Sequence, residues 1–333
     1  MTVRSSRVTH GDIVLVKPGS MGDVIHSLPV AHALKQAYPA SRITWIVDSR
    51  WAPLVRDIPC VDHIMEFPRN RFCGPAGWVR AFGWYASLPS LRPGLVIDLQ
   101  GLMRSWLMTH LSFGRRRVGL SDGREGSVYL LDAVAQVAGV SHAVDRYLQV
   151  LPLCDVEIPA APSFPLPQGS LPDGAPEQAI LLHPFARGDG KSLSPGAISD
   201  LCRLLAPSPV VICGMGDCPE NLGNHVTDFT NRTSLLDLIG LIRHAAAVIS
   251  VDSGPMHLAA ALGRPLLAIH TWSDPRKVGP YSTNAFLWQG GEIRKQSLLP
   301  EAQLNPETPI TAKAIDSIAA WAKAIPDAQG KEY

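Results

Sequence analysis

Apolar residues in this chain gather in short unbroken runs, separated by longer stretches in which they recur every three or four positions. Asp12-Ile-Val-Leu-Val-Lys17 is the first run, and a run without polar alternation is the pattern of a strand buried on both faces. The turn Pro18-Gly-Ser-Met-Gly22 follows. Val24, Leu28, Ala31 and Leu34 then share one helical face, which predicts a helix over about Asp23–Tyr38. Further strands are expected at Ile43–Val47, His63–Phe67, Leu95–Leu99 and Val118–Leu120. Helical patterns lie between them, near Ala76–Leu88, Leu102–Leu111 and Ser127–Ala138. Alternation of this kind predicts an α/β fold with a doubly wound parallel sheet.

Between Ile158 and Glu177 the chain turns proline-rich, with Pro159, Pro162, Pro165, Pro167, Pro172 and Pro176, the composition of a semi-rigid linker. The alternation then restarts. Ala179–Leu182, Val210–Cys213, Val248–Val251 and Leu266–His270 read as strands, and Pro195–Leu205 and Ser234–Ala245 as helices, Ser234 and Asp237 resembling a capping box. The expected layout is a first domain over 1–160, a linker over 161–177 and a second domain over 178–310. A closing helix within 311–333 is expected to pack back on the first domain. Ligands of open α/β sheets bind beyond the carboxyl ends of the strands. Two such sheets in series are therefore read as a two-domain enzyme with a cleft between them.

The length of 333 residues suits two domains, and the net charge of +1 disfavours a nucleic-acid partner. Residues 1–160 are mildly basic, with 17 Lys and Arg against 13 Asp and Glu. No apolar run approaches the length of a membrane span, and Met1–Gly11 lacks a signal-peptide core, so a cytoplasmic protein is expected. The six cysteines show no CxxC spacing, which suggests reduced thiols and no metal site.

Four strand-end loops carry the candidate chemistry. Val248-Ile-Ser-Val-Asp252-Ser253-Gly254-Pro255-Met-His257 reads as a strand, a sharp turn and a helix start, where free N–H groups and the helix dipole can receive an anion. The alternative is an ordinary corner in which Asp252 only caps. Gly19-Ser20-Met21-Gly22-Asp23 is neither a dinucleotide fingerprint nor a phosphate-binding P-loop. It leaves Asp23 as either a general base or a helix-start charge. Arg187 and Lys191, on the loop after His183, could meet a diphosphate as fork and point charge, or be a solvated loop. Gly214 permits close approach of a ligand, and Glu220 could accept hydrogen bonds from ribose hydroxyls. Together the loops favour a nucleotide diphosphate.

Ser250-Val-Asp252 through Arg264-Pro265, followed by Asp274-Pro-Arg-Lys-Val-Gly-Pro-Tyr281, resembles the signature of glycosyltransferase family 9, the ADP-heptose:lipopolysaccharide heptosyltransferases. Lys17-Pro-Gly-Ser-Met-Gly-Asp23-Val-Ile-His26, Ile97-Asp98-Leu-Gln100-Gly101-Leu-Met-Arg104-Ser105, Arg124-Glu125 and His142-Ala-Val-Asp-Arg146-Tyr are similar to other family motifs. The resemblance implies a GT-B fold and inverting, metal-independent transfer of heptose from ADP-heptose to the lipid A inner core, without a cofactor. It implies Asp23 as base, and Lys191 with Arg187 steadying the departing diphosphate. Gly214, Glu220, Asp252, Ser253, Gly254 and His257 are implied on the donor side, and Ser20, Gly22, His26, Arg104 and Arg124 on the acceptor side. The chain departs from the family at Phe185-Ala186 and at His270-Thr-Trp272-Ser, both on the donor side. A relative with another nucleotide sugar or acceptor, and a nucleotide-sugar epimerase of the same architecture, are the competing readings. Such an acceptor implies peripheral contact with the cytoplasmic leaflet of the inner membrane, whereas Trp78, Phe82, Trp84 and Tyr85 by themselves read as a packed helix face.

Overall fold

The computed structural model describes residues 11–140, 142–188, 190–271, 273–298 and 310–329. The chain divides into two units, Met1–Pro167 and Gln168–Tyr333. The division falls inside the proline-rich stretch.

The N-terminal unit is built on β1 (Ile13–Val16), β2 (Ile43–Asp48), β3 (His63–Phe67), β4 (Leu95–Asp98), β5 (Arg116–Leu120) and β6 (Ala133–Ala135). They form one parallel sheet in the order β3-β2-β1-β4-β5-β6. Every residue of β1 is buried, as its unalternating sequence requires. The helices are α1 (Met21–Ala37), α2 (Gly74–Ser87), α3 (Met103–Leu111) and α4 (Ala143–Leu148). Chain order reverses between β1 and β4, so the loops that follow these two strands open side by side at the switch point.

The C-terminal unit contains β7 (Ile180–His183), β8 (Val210–Ile212), β9 (Val226–Asp228), β10 (Ala247–Val251), β11 (Leu266–Ile269), β12 (Ala285–Gln289) and β13 (Glu292–Lys295). The order is β13-β12-β11-β10-β7-β8-β9, parallel except for β12 with β13. Its helices are α5 (Pro195–Leu205), α6 (Leu235–His244), α7 (Gly254–Ala261), α8 (Pro275–Val278) and α9 (Ala312–Gln329). The switch point here lies between β7 and β10.

One expectation is corrected. The helix read over Ser127–Ala138 is a turn followed by β6. Left-handed backbone at Glu125, Gly126 and Leu130 breaks the helical path. Asp132 then starts the edge pairing: its N–H donates to Arg117 O (2.8 Å), and its carboxylate accepts from Arg117 N (2.7 Å). The closing helix packs within its own unit, where Ala314, Ile315, Ile318, Ala319 and Ala322 of α9 share a core with Leu201, Cys202 and Leu205 of α5. The end of the proline-rich stretch is docked within the C-terminal unit. Ser170 donates from its backbone to Leu236 O (3.0 Å) and from Oγ to Asp237 Oδ1 (2.7 Å), which docks it on α6.

Gly240 of α6 makes that docking possible, because a Cβ there would lie 2.1 Å from Ser170 O. Alanine is the better helix former by roughly 1 kcal/mol, yet Gly240→Ala is expected to destabilise the protein by about 1–3 kcal/mol, the usual cost of overpacking against backbone. Chemical denaturation checks this; a gain in stability would contradict the docking.

Candidate active site

At the N-terminal switch point, the loop between β1 and α1 passes so near Trp51 that a Cβ on Gly19 would lie 2.9 Å from the indole Nε1. The loop is pinned to its neighbour after β4 by Gly19 N donating to Gln100 Oε1 (3.3 Å). The neighbour is itself organised by buried Asp98, which accepts from Gln100 N (2.8 Å), Gly101 N (3.0 Å) and Ser105 Oγ (2.9 Å). Burial pushes the Asp98 carboxyl above its ordinary value, against those hydrogen bonds.

Asp23 stands in the first turn of α1, and its carboxylate is held on both oxygens. Oδ2 accepts from Ser20 N (2.9 Å) and Ser20 Oγ (2.9 Å), and Oδ1 accepts from the Tyr147 hydroxyl (2.7 Å). Lys17 Nζ lies 3.8 Å from Oδ1. Burial acts to raise the Asp23 pKa, but the Lys17 charge and the Tyr147 and Ser20 hydrogen bonds prevail, and it is held below the usual carboxylate value. The side chain is nonetheless 34% exposed, so a hydroxyl can reach it. An ionised, anchored and reachable carboxylate can take a proton.

Of the other residues expected on the acceptor side, Ser20 is exposed beside Asp23 and Gly22 lies in the first turn of α1. Arg124 is exposed, and its backbone N–H donates to Gly101 O (2.8 Å), which joins its loop to the same switch point. Arg104 stands one layer away on α3, over the Phe67 ring (5.8 Å), in a pocket shared with Tyr85, Met103, Trp106 and Glu125. His26 is only 4% exposed and meets the His142 ring edge-on at 5.6 Å, so in this structure it lies where α1 meets α4.

The four aromatic residues of α2 divide. Trp84 and Tyr85 pack on Phe67, and Trp84 Nε1 donates to Glu66 O (2.7 Å). Trp78 and Phe82 are each 77% exposed, and Val79 is 73% exposed.

At the C-terminal switch point, α7 opens at Gly254 with Ser253 in the N-cap position. The Ser253 hydroxyl does not cap the helix. It donates to Val251 O (3.1 Å) and lies 3.2 Å from His183 Nδ1, which leaves the first-turn N–H groups to a ligand. The Asp252 carboxylate is half-buried and makes no hydrogen bond among the described residues. His257 is buried on α7. Burial pushes His183 down to about 4, so it is a neutral ring at physiological pH. It ties two loops together, since a Cβ on Gly214 would lie 2.7 Å from its Nε2. Asn231 fastens the glycine loop by bonding Gly216 N (3.1 Å) and Gly216 O (2.8 Å) through its amide.

Arg187 and Lys191 lie on the loop after β7, which Ser192 Oγ closes onto the backbone of Ala186. Arg187 is exposed and Lys191 half-buried. Glu220 is exposed beyond the glycine loop. Asp189 and Trp272 lie outside the described residues. No group of three or more metal-ligating side chains occurs among the described residues, and none of their helices is long and apolar enough to cross a membrane.

Sequence reasoning gave no role to Lys17, Tyr147, His183 or Asn231. A lysine closing an apolar strand was the available signal for the first. Tyr147 closes the His142-Ala-Val-Asp-Arg146-Tyr motif, which was a signal for the second, whereas His183 and Asn231 are given their roles by tertiary contacts.

Comparison with known proteins agrees with this layout. Residues 217–302 match glycosyltransferase family 9 (heptosyltransferase). Lipopolysaccharide heptosyltransferase 1 of Escherichia coli K12 is 28% identical over 296 residues, covering 82% of this chain and 91% of that relative. The enzyme of the same name from Pseudomonas aeruginosa is 27% identical over 292 residues, 81% of each. Among solved structures, E. coli heptosyltransferase WaaC with ADP superposes with a TM-score of 0.78 at 24% identity, over 93% of this chain and 99% of that one. E. coli ADP-heptose lps heptosyltransferase II gives 0.71 at 21% identity, over 94% and 99%. These structures share the fold, two Rossmann-like units in one chain, which is the GT-B fold expected from the sequence. The protein is a glycosyltransferase, similar over most of its length to lipopolysaccharide heptosyltransferases and matching glycosyltransferase family 9 over residues 217–302.

Proposed function

We propose that the protein transfers heptose from ADP-heptose to the inner core of lipopolysaccharide, inverting the anomeric centre without a metal ion. The acceptor hydroxyl attacks the anomeric carbon and gives its proton to Asp23, while the bond from that carbon to the diphosphate breaks. The N–H groups at the start of α7, with Lys191 and Arg187, absorb the charge that appears on the leaving ADP. Asp252 and Glu220 are assigned to donor hydroxyls. Ser20, Gly22, Arg104 and Arg124 are assigned to the acceptor, with His26 behind them.

The observation that carries this reading is the Asp23 carboxylate, held by Ser20 and Tyr147 beside Lys17 and kept ionised while reachable. Relatives named as lipopolysaccharide heptosyltransferases, and a neighbour solved with ADP-2-deoxy-2-fluoro heptose, support the choice of donor and acceptor class. The test is ADP release from ADP-heptose, expected only when a Kdo-lipid A or heptosylated core acceptor is present, with UDP-sugars inactive. Donor consumption without an acceptor would favour an epimerase instead.

The same reading sets α2 against the lipid surface that carries the acceptor. Trp78, Val79 and Phe82 are exposed, and the segment between Glu66 and Asp98 holds Arg69, Arg71, Arg80 and Arg92 without one acidic residue. Apolar prongs among cations suit an anionic bilayer. Trp78→Ser with Phe82→Ser is expected to weaken sedimentation with phosphatidylglycerol vesicles about tenfold or more, from the lost apolar burial. Turnover of a soluble, delipidated acceptor should be unchanged. Equal vesicle binding by the variant would contradict the assignment.

A further inference from the structure

We infer that Tyr147 is a positioning residue for Asp23, and that buried Lys17 decides which way the Tyr147 proton points. The inference rests on the reading of Asp23 as base.

Lys17 closes β1 and is 2% exposed. Its Nζ donates to Leu99 O (2.9 Å) and to the Tyr147 hydroxyl (2.7 Å). An ammonium can only donate, and a phenol has one proton. With its oxygen accepting from Lys17, Tyr147 must turn that proton to Asp23 Oδ1, 2.7 Å away. Ser20 fixes Oδ2 from the other side, so the carboxylate plane cannot swing. Three elements contribute: β1 through Lys17, α1 through Asp23, and α4 through Tyr147. The charged groups that face this trio are Asp98, at the end of β4, and Arg146, on α4 and paired with Asp122.

The chemical consequence is directional. Tyr147 and Lys17 close the buried side of Oδ1, and Ser20 N and Oγ fill both lone pairs of Oδ2. The acceptor's proton therefore goes to Oδ2 as the exposed Ser20 hydroxyl gives up its bond. The acceptor O–H bond breaks into that oxygen as its C–O bond forms, and Tyr147 keeps its own proton throughout. Burial and the neighbouring Asp23 push the phenol well above its ordinary pKa, which keeps it a donor at working pH.

The sign of the effect can be measured. The Tyr147 hydrogen bond lowers the Asp23 pKa, and transfer needs Asp23 ionised, so activity is lost as pH falls through that pKa. Tyr147→Phe keeps the ring and removes the donor. It is expected to move the acid limb of kcat, and the Asp23 titration followed by carboxyl 13C NMR, upward by about one pH unit. Affinity for ADP should not change. Lys17→Met should move both in the same direction, and thermal melts of both variants establish that they fold. An unmoved acid limb and Asp23 titration in folded Tyr147→Phe would overturn the inference, leaving Tyr147 a packing residue. The NMR titration needs no turnover. If Asp23 shifts in it while the wild-type protein transfers no heptose, the Tyr147–Asp23 coupling stands and the proposed function fails.

Discussion

Asp23→Ala is expected to lower kcat for heptose transfer by about 10²–10⁴-fold, the range that a positioned general base contributes. Affinity for ADP should stay within about twofold of wild type, the change that a site touching only the acceptor leaves in donor binding. Alanine is preferable to asparagine here. An asparagine amide would have to turn an NH2 group toward either Ser20 or Tyr147, all of them donors, whereas alanine leaves the exposed Ser20 groups to water. Lys17 keeps a neighbouring carboxylate in Asp98, so the buried ammonium is not stranded. Initial rates at saturating donor, paired with calorimetric ADP titration, separate the two effects. Full activity in the variant would remove Asp23 from the chemistry.

Lys191→Met should give the second large loss, about 10²–10³-fold in kcat, comparable to deleting one preorganised donor that meets developing charge. The diphosphate already carries charge in the bound donor, and it gains more as the glycosidic bond breaks. The loss should therefore appear mainly in kcat, with a smaller rise in donor KM. Lys191→Arg should recover part of it, because the fork keeps the charge but alters its placement. A variant impaired only in donor binding would mean that Lys191 grips the ground state and does not serve the leaving group.

The central strands β1, β4, β7, β8, β10 and β11 were legible because each is buried along its whole length and is largely apolar. β3 and α5 fall where the pattern put them, and Ser234 and Asp237 do form the capping box at α6. What escaped was decided by contacts distant in sequence. Ala133–Ala135 is too short to declare itself a strand until β5 offers an edge, and α9 shows an apolar stripe but not which surface receives it. The β12–β13 hairpin did carry a local signal. Gly290-Gly291 takes left-handed φ values of 63° and 89°, as a two-residue hairpin turn demands, and that dipeptide went unused.

The site divides in the same way. Asp23, Ser253 and Gly254 stand at strand-to-helix turns, where sequence alone shows a carboxylate or a helix start. Tyr147 lies 124 positions from the carboxylate it orients, on a six-residue helix that no periodicity reveals. His183 reads as a strand end, and its role in joining the Gly214 and Ser253 loops follows from burial that leaves it neutral. Candidate residues set by their own turn show in the sequence, whereas the contacts that hold them in place do not.

The most direct test of the division of labour is a crystal of the full chain soaked with ADP-heptose. The diphosphate is expected against the backbone N–H groups of Ser253 and Gly254 with Lys191 beside it, and the Gly19–Gly22 loop free of nucleotide. Nucleotide bound at Gly19–Gly22, or anywhere away from the start of α7, would contradict the account.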